Sequence, residues 1–448
     1  MVAGLSGALV DLGEKITVAT PLYRGVREQI SNLNPCGPEA TIPLGKNIFP
    51  AKWWKTETKD GITMLFLENE GFYDRDGLYM EGNDGYWDNP ERFMLFNKAV
   101  ARIAPEYDVV HVHDWQTAFV PMLLKAGKGK TPPRTILTIH NLAYQGQCDG
   151  NRFNITNLPK RLFQQEGPEF WGSMNFLKAG LHYADHITTV SPTYACEILT
   201  QEYGEGMDGV LQKREDTLTG ILNGVDYGEW STENNPYLPA SYSENDLSGK
   251  DECKKTLQKE MGLPVEEVPL FGSVSRLAGQ KGIDVMVQSL DKILCETRMQ
   301  VVVLGSGEDG LARCLNTLQK KYSNCVFNEG YDNRLAHLIE AGADFYLMPS
   351  RFEPCGLNQL YSFRYGTLPI VHGVGGLNDT VEDMNGDSGS GFKINRLTPD
   401  ELSLAINRAL KLYSLNVPFI RARQRIMKLD YSWAEPAQSY QQLYYPYN

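Results

Sequence analysis

The sequence predicts an α/β protein in which two doubly wound parallel sheets follow one another along the chain. Short apolar runs alternate with helical segments in both halves of the 448 residues, and this alternation is typical of βαβ units. A polar, proline-containing stretch from 236 to 249 separates the two series. A chain of this length is also expected to contain roughly two to three domains.

The first part of the chain predicts one helix and two strands that are separated by long loops. Residues 2–12 have a helical pattern, which Gly13 ends. Strands are predicted at 15–20 and 62–68, and long polar and aromatic loops at 34–58 and 70–89. Loops of this length in a compact domain more often carry function than not.

The alternation becomes regular between residues 91 and 222. Strands are predicted at 108–113, 135–140, 186–190 and 218–222, and helices at 91–103, 116–125, 174–184 and 193–202. The stretch between about 223 and 248 is the predicted domain junction, because its Pro, Ser, Asn and Asp residues favour loops.

A second alternating series follows the junction. Its strands are predicted at 270–274, 300–304, 325–328, 345–348 and 368–371, with helices between them and a final aromatic helix at 431–445. Two similar halves predict two nucleotide-fold-like domains that face each other across a cleft. In such sheets, ligands bind at the carboxyl ends of the strands.

Composition and charge exclude several classes of protein. The chain is 42% hydrophobic and 22% charged, as ordinary globular proteins are, and no run approaches the roughly 18 apolar residues of a membrane span. A net charge of −12 gives no basic surface for nucleic acid or an anionic membrane. We therefore expect neither a nucleic-acid nor a membrane partner.

The cysteines and the N-terminus predict a reducing compartment. The 8 cysteines form no CxxC pair and no compact disulfide framework, which is the usage of scattered free thiols. The segment MVAGLSGALVDLGEK has no basic residues ahead of its apolar ones and is a poor signal peptide. These features predict a cytoplasmic protein, or one of the plastid stroma if the source is a plant or an alga.

The stretch from 348 to 382 predicts an anion-binding site built from two strand-to-helix turns. Glu353 and Cys355 precede the first predicted helix, with Pro354 in its first turn. Gly375 and Gly376 form the second turn, where they would let the backbone approach a bulky anion. A helix starting near Asp379 would direct its positive end at that anion.

Two cations in the same half strengthen this prediction. Arg276 and Lys281 follow the strand at 270–274, where they could contact a diphosphate or lie in a solvated loop. Similarly, Glu353 could orient a substrate hydroxyl or be a surface charge. Tyr331, at another strand end, could stack on a base or cover the core.

Other strand ends in the sequence carry weaker signals. His140 lies at the end of an apolar strand, where function and structure are equally plausible, whereas His111, His113 and Asp114 lack the further ligands that a metal site needs. The pair Gly305 and Gly307 lacks the third glycine of a dinucleotide fingerprint and favours a structural turn. The sequence contains no P-loop.

Several segments together resemble the bacterial glycogen synthases and plant starch synthases. They are HVHDWQ, TIHNLAYQG, FLKAGLHYADHITTVSPTY, GILNGVDYGEW, SVSRLAGQKG, PSRFEPCGLNQLY, YGTLPIV with GGLNDTV, and DYSWAEPAQSY. The resemblance implies the GT-B architecture, two Rossmann-like domains with a C-terminal helix that crosses back to the first. The corresponding boundaries are 1–225, 226–430 and 431–448.

The resemblance also implies a reaction: transfer of glucose from ADP-glucose to the non-reducing end of an α-1,4-glucan, glycogen or starch-like, with retention of configuration. It implies no cofactor and no metal. In this reading Arg276 and Lys281 hold the pyrophosphate, Gly375, Gly376 and Leu377 donate backbone N–H groups to it, and Tyr331 stacks on adenine. His140 and Glu353 contact the glucose. The remaining substrate-binding positions are Asp114, Asn141, Asn223 and Cys355.

Three features depart from the patterns of this family or of related transferases, although the third is common among glycogen and starch synthases. Relatives usually begin with a strand and a K-x-G-G-L loop, whereas this sequence starts just after that loop. Val374 stands where threonine is usual, and Tyr361 stands eight residues after Glu353 where many related transferases have a second glutamate. Either a piece that precedes residue 1 is missing from the sequence, or the protein lacks this strand and loop. The second possibility is the best argument for the alternative, an inactive glucan-binding or regulatory protein with a transferase fold.

Overall fold

The computed structural model describes residues 1–81, 84–127, 131–386 and 388–446. The chain forms two compact units. Unit 1 contains residues 1–190, 195–221 and 433–448, and unit 2 contains residues 191–194 and 222–432. Residues 447 and 448 of the predicted last segment, and 82 and 83 of the second predicted loop, lie outside the described residues.

Unit 1 contains two main sheets. Its strands are β1 Thr17–Pro21, β2 Asn34–Leu44, β3 Asn47–Glu57, β4 Thr63–Glu68, β5 Met80–Glu81, β6 Asp84–Gly85, β7 Val109–His113, β8 Arg134–Ile139, β9 Gln147–Asp149, β10 Glu169–Phe170, β11 Ser173–Asn175, β12 His186–Thr189 and β13 Leu218–Gly220. One sheet is parallel, in the order β13-β12-β8-β7, and the other is mixed, in the order β1-β4-β3-β2.

The helices of the first part of the chain connect and cover these strands. They are α1 Val2–Asp11, α2 Val26–Gln29, α3 Glu70–Tyr73, α4 Asn89–Ile103, α5 Asp114–Thr117, α6 Val120–Ala126, α7 Phe176–Tyr183, α8 Pro192–Glu197 and α9 Asp208–Gln212. The parallel order of the four strands confirms the α/β class predicted from alternation.

Unit 2 is built on one parallel sheet of six strands, in the order β16-β15-β14-β17-β18-β19. These strands are β14 Leu270–Val274, β15 Gln300–Gly305, β16 Cys325–Glu329, β17 Phe345–Met348, β18 Leu368–His372 and β19 Phe392–Ile394. Its helices are α10 Ser248–Glu260, α11 Ile283–Ile293, α12 Asp309–Lys321, α13 Asn333–Gly342, α14 Asn358–Arg364, α15 Gly375–Thr380, α16 Pro399–Ser414 and α17 Val417–Ile426. Continuous apolar strands such as 301–304 are fully buried, as helices on both faces of a parallel sheet require.

The last helix, α18 Ala434–Tyr444, belongs to unit 1. Its residues Ala437 and Tyr440 share a buried cluster with Leu5 and Leu9 of α1. A Cβ atom on Gly4 would overlap the indole of Trp433, so the close packing of the two ends of the chain needs glycine there. The return of the C-terminal helix to the first domain is as predicted.

The prediction of a loop at 34–58 is wrong. These residues form an antiparallel hairpin of β2 and β3, joined by a turn in which Gly45 has φ +64°. Prolines at 35, 38 and 43 hid the pattern, because proline usually argues against a strand. Here those three prolines lie in the edge strand β2, where missing donors are tolerated.

Two helix boundaries in the anion-binding stretch also differ from the prediction. The helix after Glu353 starts at Asn358, so Pro354 precedes it. Gly356 has φ +69°, and this left-handed residue prevents the helix from starting earlier. The next helix starts at Gly375, four positions before Asp379.

Among the described residues, no helix combines the length and apolar character needed to cross a membrane.

Candidate active site

The structure brings Lys281 and Glu353 of unit 2 together. Nζ of Lys281 lies 2.6 Å from Oε2 of Glu353, and the side chains are 17% and 8% exposed. The same carboxylate oxygen accepts a hydrogen bond from the hydroxyl of Ser350 at 2.9 Å. Glu353 is therefore fixed by two donors, and it is a buried carboxylate of the site rather than a surface charge.

Arg351 and Gln280 fasten the two loops that carry this pair. The guanidinium of Arg351 contacts both carboxylate oxygens of Asp284 at 2.8 and 2.6 Å and donates to the carbonyl of Gly279 at 2.6 Å. The backbone N–H of Arg351 donates to the carbonyl of Gln280 at 2.8 Å. The bidentate ion pair fixes both distance and orientation. Arg351 was not predicted from the sequence, where its only signal is its position two residues before Glu353.

Arg276 is exposed on the loop that follows β14. No other side chain in the described part of the chain forms an ion pair with its guanidinium. The loop lies against the carboxyl end of β15, where the N–H of Leu277 donates to the carbonyl of Ser306 at 2.8 Å. Arg276 is thus an available cation at the carboxyl edge of the sheet, where ligands of such folds bind.

The pair Gly305 and Gly307 allows that loop to approach. Added Cβ atoms would meet the carbonyl of Ser275 at Gly305 and that of Leu277 at Gly307. Gly307 also has φ +150°, where a side chain would be strained. This geometry is consistent with the interpretation of Gly305 and Gly307 as a structural turn. The turn packs against the loop that carries Arg276.

The glycine pair at 375 and 376 packs tightly against the Glu353 loop. Added Cβ atoms would meet the carbonyl of Glu353 at Gly375 and that of Cys355 at Gly376. The N–H of Gly376 donates to the carbonyls of Glu353 and Pro354 at 3.1 and 3.2 Å, and that of Leu377 to the carbonyl of Val374 at 3.0 Å. These two N–H groups already have acceptors, so donation to a phosphate stays a prediction that requires an exchange of partners.

Cys355 and Asn223 lie together beneath this loop. Burial raises the pKa of the Cys355 thiol to about 12, although hydrogen bonding with Asn223 opposes the shift. The amide oxygen of Asn223 is buried, and none of the residues that the structure describes hydrogen-bonds to it. A neutral thiol is a packing group rather than a nucleophile, whereas the unpaired amide oxygen could accept a hydrogen bond from a ligand.

Tyr331 is 79% exposed just after β16. Its hydroxyl lies 3.2 Å from Oδ1 of Asn333. An aromatic ring that covers no core fits a stacking surface for a planar base better than a packing role.

In unit 1, Asp114 and His140 meet at the carboxyl ends of β7 and β8. Oδ1 of Asp114 accepts a hydrogen bond from the backbone N–H of His140 at 2.7 Å. Asp114 has φ +52°, and such a strained conformation in a residue other than glycine is frequent at functional sites. Asn141 caps the following turn by accepting from the N–H of Ala143 at 3.1 Å.

His140 is the first of three histidines whose rings lie side by side. Nε2 of His140 lies 3.2 Å from Nδ1 of His113, and the rings of His113 and His111 lie 4.3 Å apart. Burial lowers the pKa of His111 to about 3 and the pKa values of His113 and His140 as well. All three rings are therefore neutral at pH 7. Within the described residues, no group of three or more His, Cys, Asp or Glu side chains could hold a metal ion.

A groove of about 690 Å³ lies in the same unit. Its walls include Tyr86, Trp87, Trp115, Tyr144 and Phe170, together with Asp149, Arg152 and Glu205. Trp87 and Tyr144 are 78% and 51% exposed. This groove was not predicted from the sequence, although two of its aromatic residues, Tyr86 and Trp87, lie in the predicted loop at 70–89.

Two family models match the chain. Residues 1–213 match the starch synthase catalytic domain, and residues 254–425 match the group 1 glycosyl transferases. Glycogen synthase of Koribacter versatilis is 40% identical over 99% of this chain and 93% of its own length. Glycogen synthase of Myxococcus xanthus is 43% identical over 99% and 94%.

Solved structures agree with these matches. The catalytic domain of starch synthase IV from Arabidopsis thaliana, bound to ADP and acarbose, superposes with a TM-score of 0.90 at 30% identity, covering 99% of this chain and 94% of its own. Sucrose-phosphate synthase from Thermosynechococcus elongatus has a TM-score of 0.61 at 16% identity over 99% and 92%, and shares the fold. The GT-B fold class is therefore confirmed.

Proposed function

The chain belongs to the glycogen and starch synthase family of glucosyltransferases, and from this premise we propose that it transfers glucose from ADP-glucose to the non-reducing end of an α-1,4-glucan with retention of configuration. The observation that carries the proposal is the pair Lys281 and Glu353, which sets a cation beside a carboxylate at the carboxyl edge of the unit 2 sheet. The ADP of the starch synthase IV complex supports an adenine nucleotide as the donor.

Unit 2 supplies the donor side of this proposal. Arg276 and Lys281 neutralise the diphosphate, Tyr331 stacks on adenine, and Glu353 accepts hydrogen bonds from glucose hydroxyls. As the bond from the anomeric carbon to the diphosphate oxygen breaks, negative charge grows on the diphosphate and positive charge on the sugar. Fixed cations on one side and oxygen dipoles on the other stabilise that separation without reorganising.

The acceptor completes the reaction on the same face of the sugar. The 4-hydroxyl oxygen of the glucan forms the new bond to the anomeric carbon, and its proton moves to the departing diphosphate. No protein base is required in this scheme. His140 contacts the transferred glucose, and Asp114 holds its backbone through the 2.7 Å hydrogen bond.

The aromatic groove of unit 1 is the proposed acceptor site. Aromatic faces suit the apolar faces of glucose rings, while carboxylates and amides suit the hydroxyls. Trp87 and Tyr144 line this groove and are exposed. Trp171 is 89% exposed but does not line the groove, so it provides a matched control.

The experiment tests the donor and the acceptor in one assay. The protein is incubated with glycogen and either ADP-glucose or UDP-glucose, and release of ADP or UDP is measured. We expect faster release from ADP-glucose. In the variant Trp87→Ala we expect the KM for glycogen to rise about tenfold, because one aromatic contact with the glucan is lost. In Trp171→Ala we expect the KM for glycogen to stay unchanged.

Two results would contradict the proposal. Absence of nucleotide release with both donors would favour the inactive glucan-binding alternative, which relatives of about 40% identity over nearly the whole chain do not favour. Equal effects of Trp87→Ala and Trp171→Ala on the KM for glycogen would remove the acceptor groove from the proposal.

A further inference from the structure

A row of four polar rings runs from His140 to the C-terminal helix of unit 1. His113 hydrogen-bonds to His140 through Nδ1, and its ring lies 4.3 Å from that of His111 with 33° between their planes. On the far side, Nδ1 of His111 lies 2.7 Å from the hydroxyl of Tyr444, and Nε2 lies 2.6 Å from Oγ1 of Thr138. Every ring in the row thus has a neighbour that fixes it.

The contact between His113 and His140 has a chemical consequence. Both rings are half-buried, and desolvation lowers their pKa values so that they are neutral at pH 7. A neutral imidazole has one N–H and one acceptor nitrogen. Only one hydrogen can lie between Nδ1 of His113 and Nε2 of His140. The proton position on His113 therefore decides whether the other nitrogen of His140, Nδ1, is a donor or an acceptor.

That second nitrogen is the one left for a ligand. Nδ1 of His140 has no hydrogen-bond partner among the residues that the structure describes, and the side chain is partly exposed. The backbone of His140 is fixed separately by Asp114. Ring and backbone are thus held by neighbouring residues of one segment, 113 and 114, at the end of β7.

We propose that His113 is a positioning residue that fixes the ring plane and tautomer of His140, and that Tyr444 holds His113 in place through His111. The hydroxyl of Tyr444 is itself well anchored, because α18 is packed on α1 through Leu5, Leu9 and Ala437. The C-terminal helix is in this way part of the site of unit 1. The effect on turnover rests on the proposed glucosyl transfer, whereas the effect on the tautomer does not.

The first test compares two substitutions of His113. His113→Ala removes the hydrogen bond, and we expect kcat to fall by about 10- to 100-fold, as misplacement of a contacting group does. His113→Asn places an amide where Nδ1 was, and we expect it to restore kcat to within about threefold of wild type. The KM for the donor should change much less than kcat in both variants.

The second test reads the tautomer of His140 directly. The protein has 7 histidines, so ¹⁵N-labelled imidazole spectra are tractable, and the variant His140→Gln identifies the signals of His140. Wild type and His113→Asn should show one protonated and one unprotonated nitrogen. His113→Ala should show averaged signals from two tautomers.

Tyr444 has a matched control on the next residue. Tyr444→Phe removes only the hydroxyl that contacts His111, and we expect kcat to fall by about 3- to 10-fold, the loss of one buried hydrogen bond. Tyr445→Phe removes a hydroxyl that lies 3.1 Å from Glu14 and that, among the described residues, makes no hydrogen bond to a ring of the row. We expect no change of kcat in Tyr445→Phe.

Each outcome decides the proposal. It is overturned if His140 keeps a single tautomer in His113→Ala, or if His113→Asn is as slow as His113→Ala, or if the two tyrosine variants behave alike. Should His113→Ala not fold, the Asn and Phe variants still decide through their spectra and kcat. If wild type releases no nucleotide from either donor, the proposed function fails while the spectra still test the row.

Discussion

The ammonium group of Lys281 lies 2.6 Å from a carboxylate oxygen of Glu353. Two groups that the sequence assigned to different parts of a substrate, the diphosphate and the glucose, are therefore direct neighbours. Lys281 has three N–H donors, so contact with Glu353 leaves donors for a phosphate. The pair places the proposed leaving group and the proposed sugar within one small space.

We predict that Lys281→Ala lowers kcat by about 100- to 1000-fold, the usual cost of removing one charge-stabilising contact. It also leaves the buried carboxylate of Glu353 with one donor fewer, so we expect the free energy of unfolding to fall by about 1–3 kcal/mol. Nucleotide release and chemical denaturation measure the two effects.

Lys292→Ala is the control for this prediction. Lys292 pairs with Asp400, but their side chains are 53% and 81% exposed. In Lys292→Ala we therefore expect the free energy of unfolding to fall by less than about 1 kcal/mol and kcat to stay at the wild-type value. A normal rate in Lys281→Ala would remove Lys281 from the proposed site.

The two partners should also be energetically coupled. A double-mutant cycle with Lys281→Ala and Glu353→Gln should give an interaction energy of about 0.5–3 kcal/mol in the free energy of unfolding. Coupling within experimental error of zero would mean that the contact contributes nothing in solution.

Tyr331→Ala should weaken donor binding without affecting folding. Stacking of a base on an aromatic ring contributes about 1–3 kcal/mol, so the KM for ADP-glucose should rise by about 5- to 100-fold. The ring is 79% exposed, and the melting temperature should not change. Tyr331→Phe keeps the stacking face and should behave as wild type, whereas equal KM values in all three proteins would exclude stacking.

Gly376→Ala should destabilise unit 2. Its methyl group would overlap the backbone of Cys355, and overpacking of this kind costs about 1–3 kcal/mol. The loop that carries Glu353 must move, so kcat should fall too. Gly310→Ala is the control, because its methyl group would meet nothing closer than Arg313 at 4.0 Å. Equal stability of the two variants would show that the turn at 375–376 is looser than the structure indicates.

Glu340 gives a prediction about pH. Burial raises the pKa of this carboxyl from 4.5 to about 8, so the folded state binds a proton that the unfolded state releases above pH 4.5. The stability that protonated Glu340 contributes is fully present below pH 4.5, its pKa in the unfolded chain. This stability is lost as the pH rises through about 8, its pKa in the folded protein. Between pH 5 and 8, Glu340→Gln should therefore gain stability over wild type by about 1 kcal/mol per pH unit.

Urea denaturation at several pH values measures this difference. Glu252 is exposed on α10. The free energy of unfolding of Glu252→Gln should therefore differ from that of wild type by the same amount at every pH. A flat difference for Glu340→Gln would mean that Glu340 is already ionised at pH 5.

The sequence predicted most elements of the two parallel sheets, because buried parallel strands are continuous apolar runs such as 301–304 and most of them are followed by a helical pattern. It failed at 34–58, where prolines in an edge strand resemble loop residues. It also misplaced the helix after Glu353, because Gly356 stops a helix that Pro354 alone would have allowed. These errors are local, and none alters the α/β class.

The sequence by itself determined the family, the α/β class and the residue types available for the reaction, since these depend on local patterns and on motifs in order. Only the tertiary structure decided which groups touch. Lys281 and Glu353 are 72 residues apart in the chain, and His111 and Tyr444 are 333 apart. Contacts over such separations depend on how strands are ordered in the sheets and on where the chain ends pack, and no local pattern encodes that order.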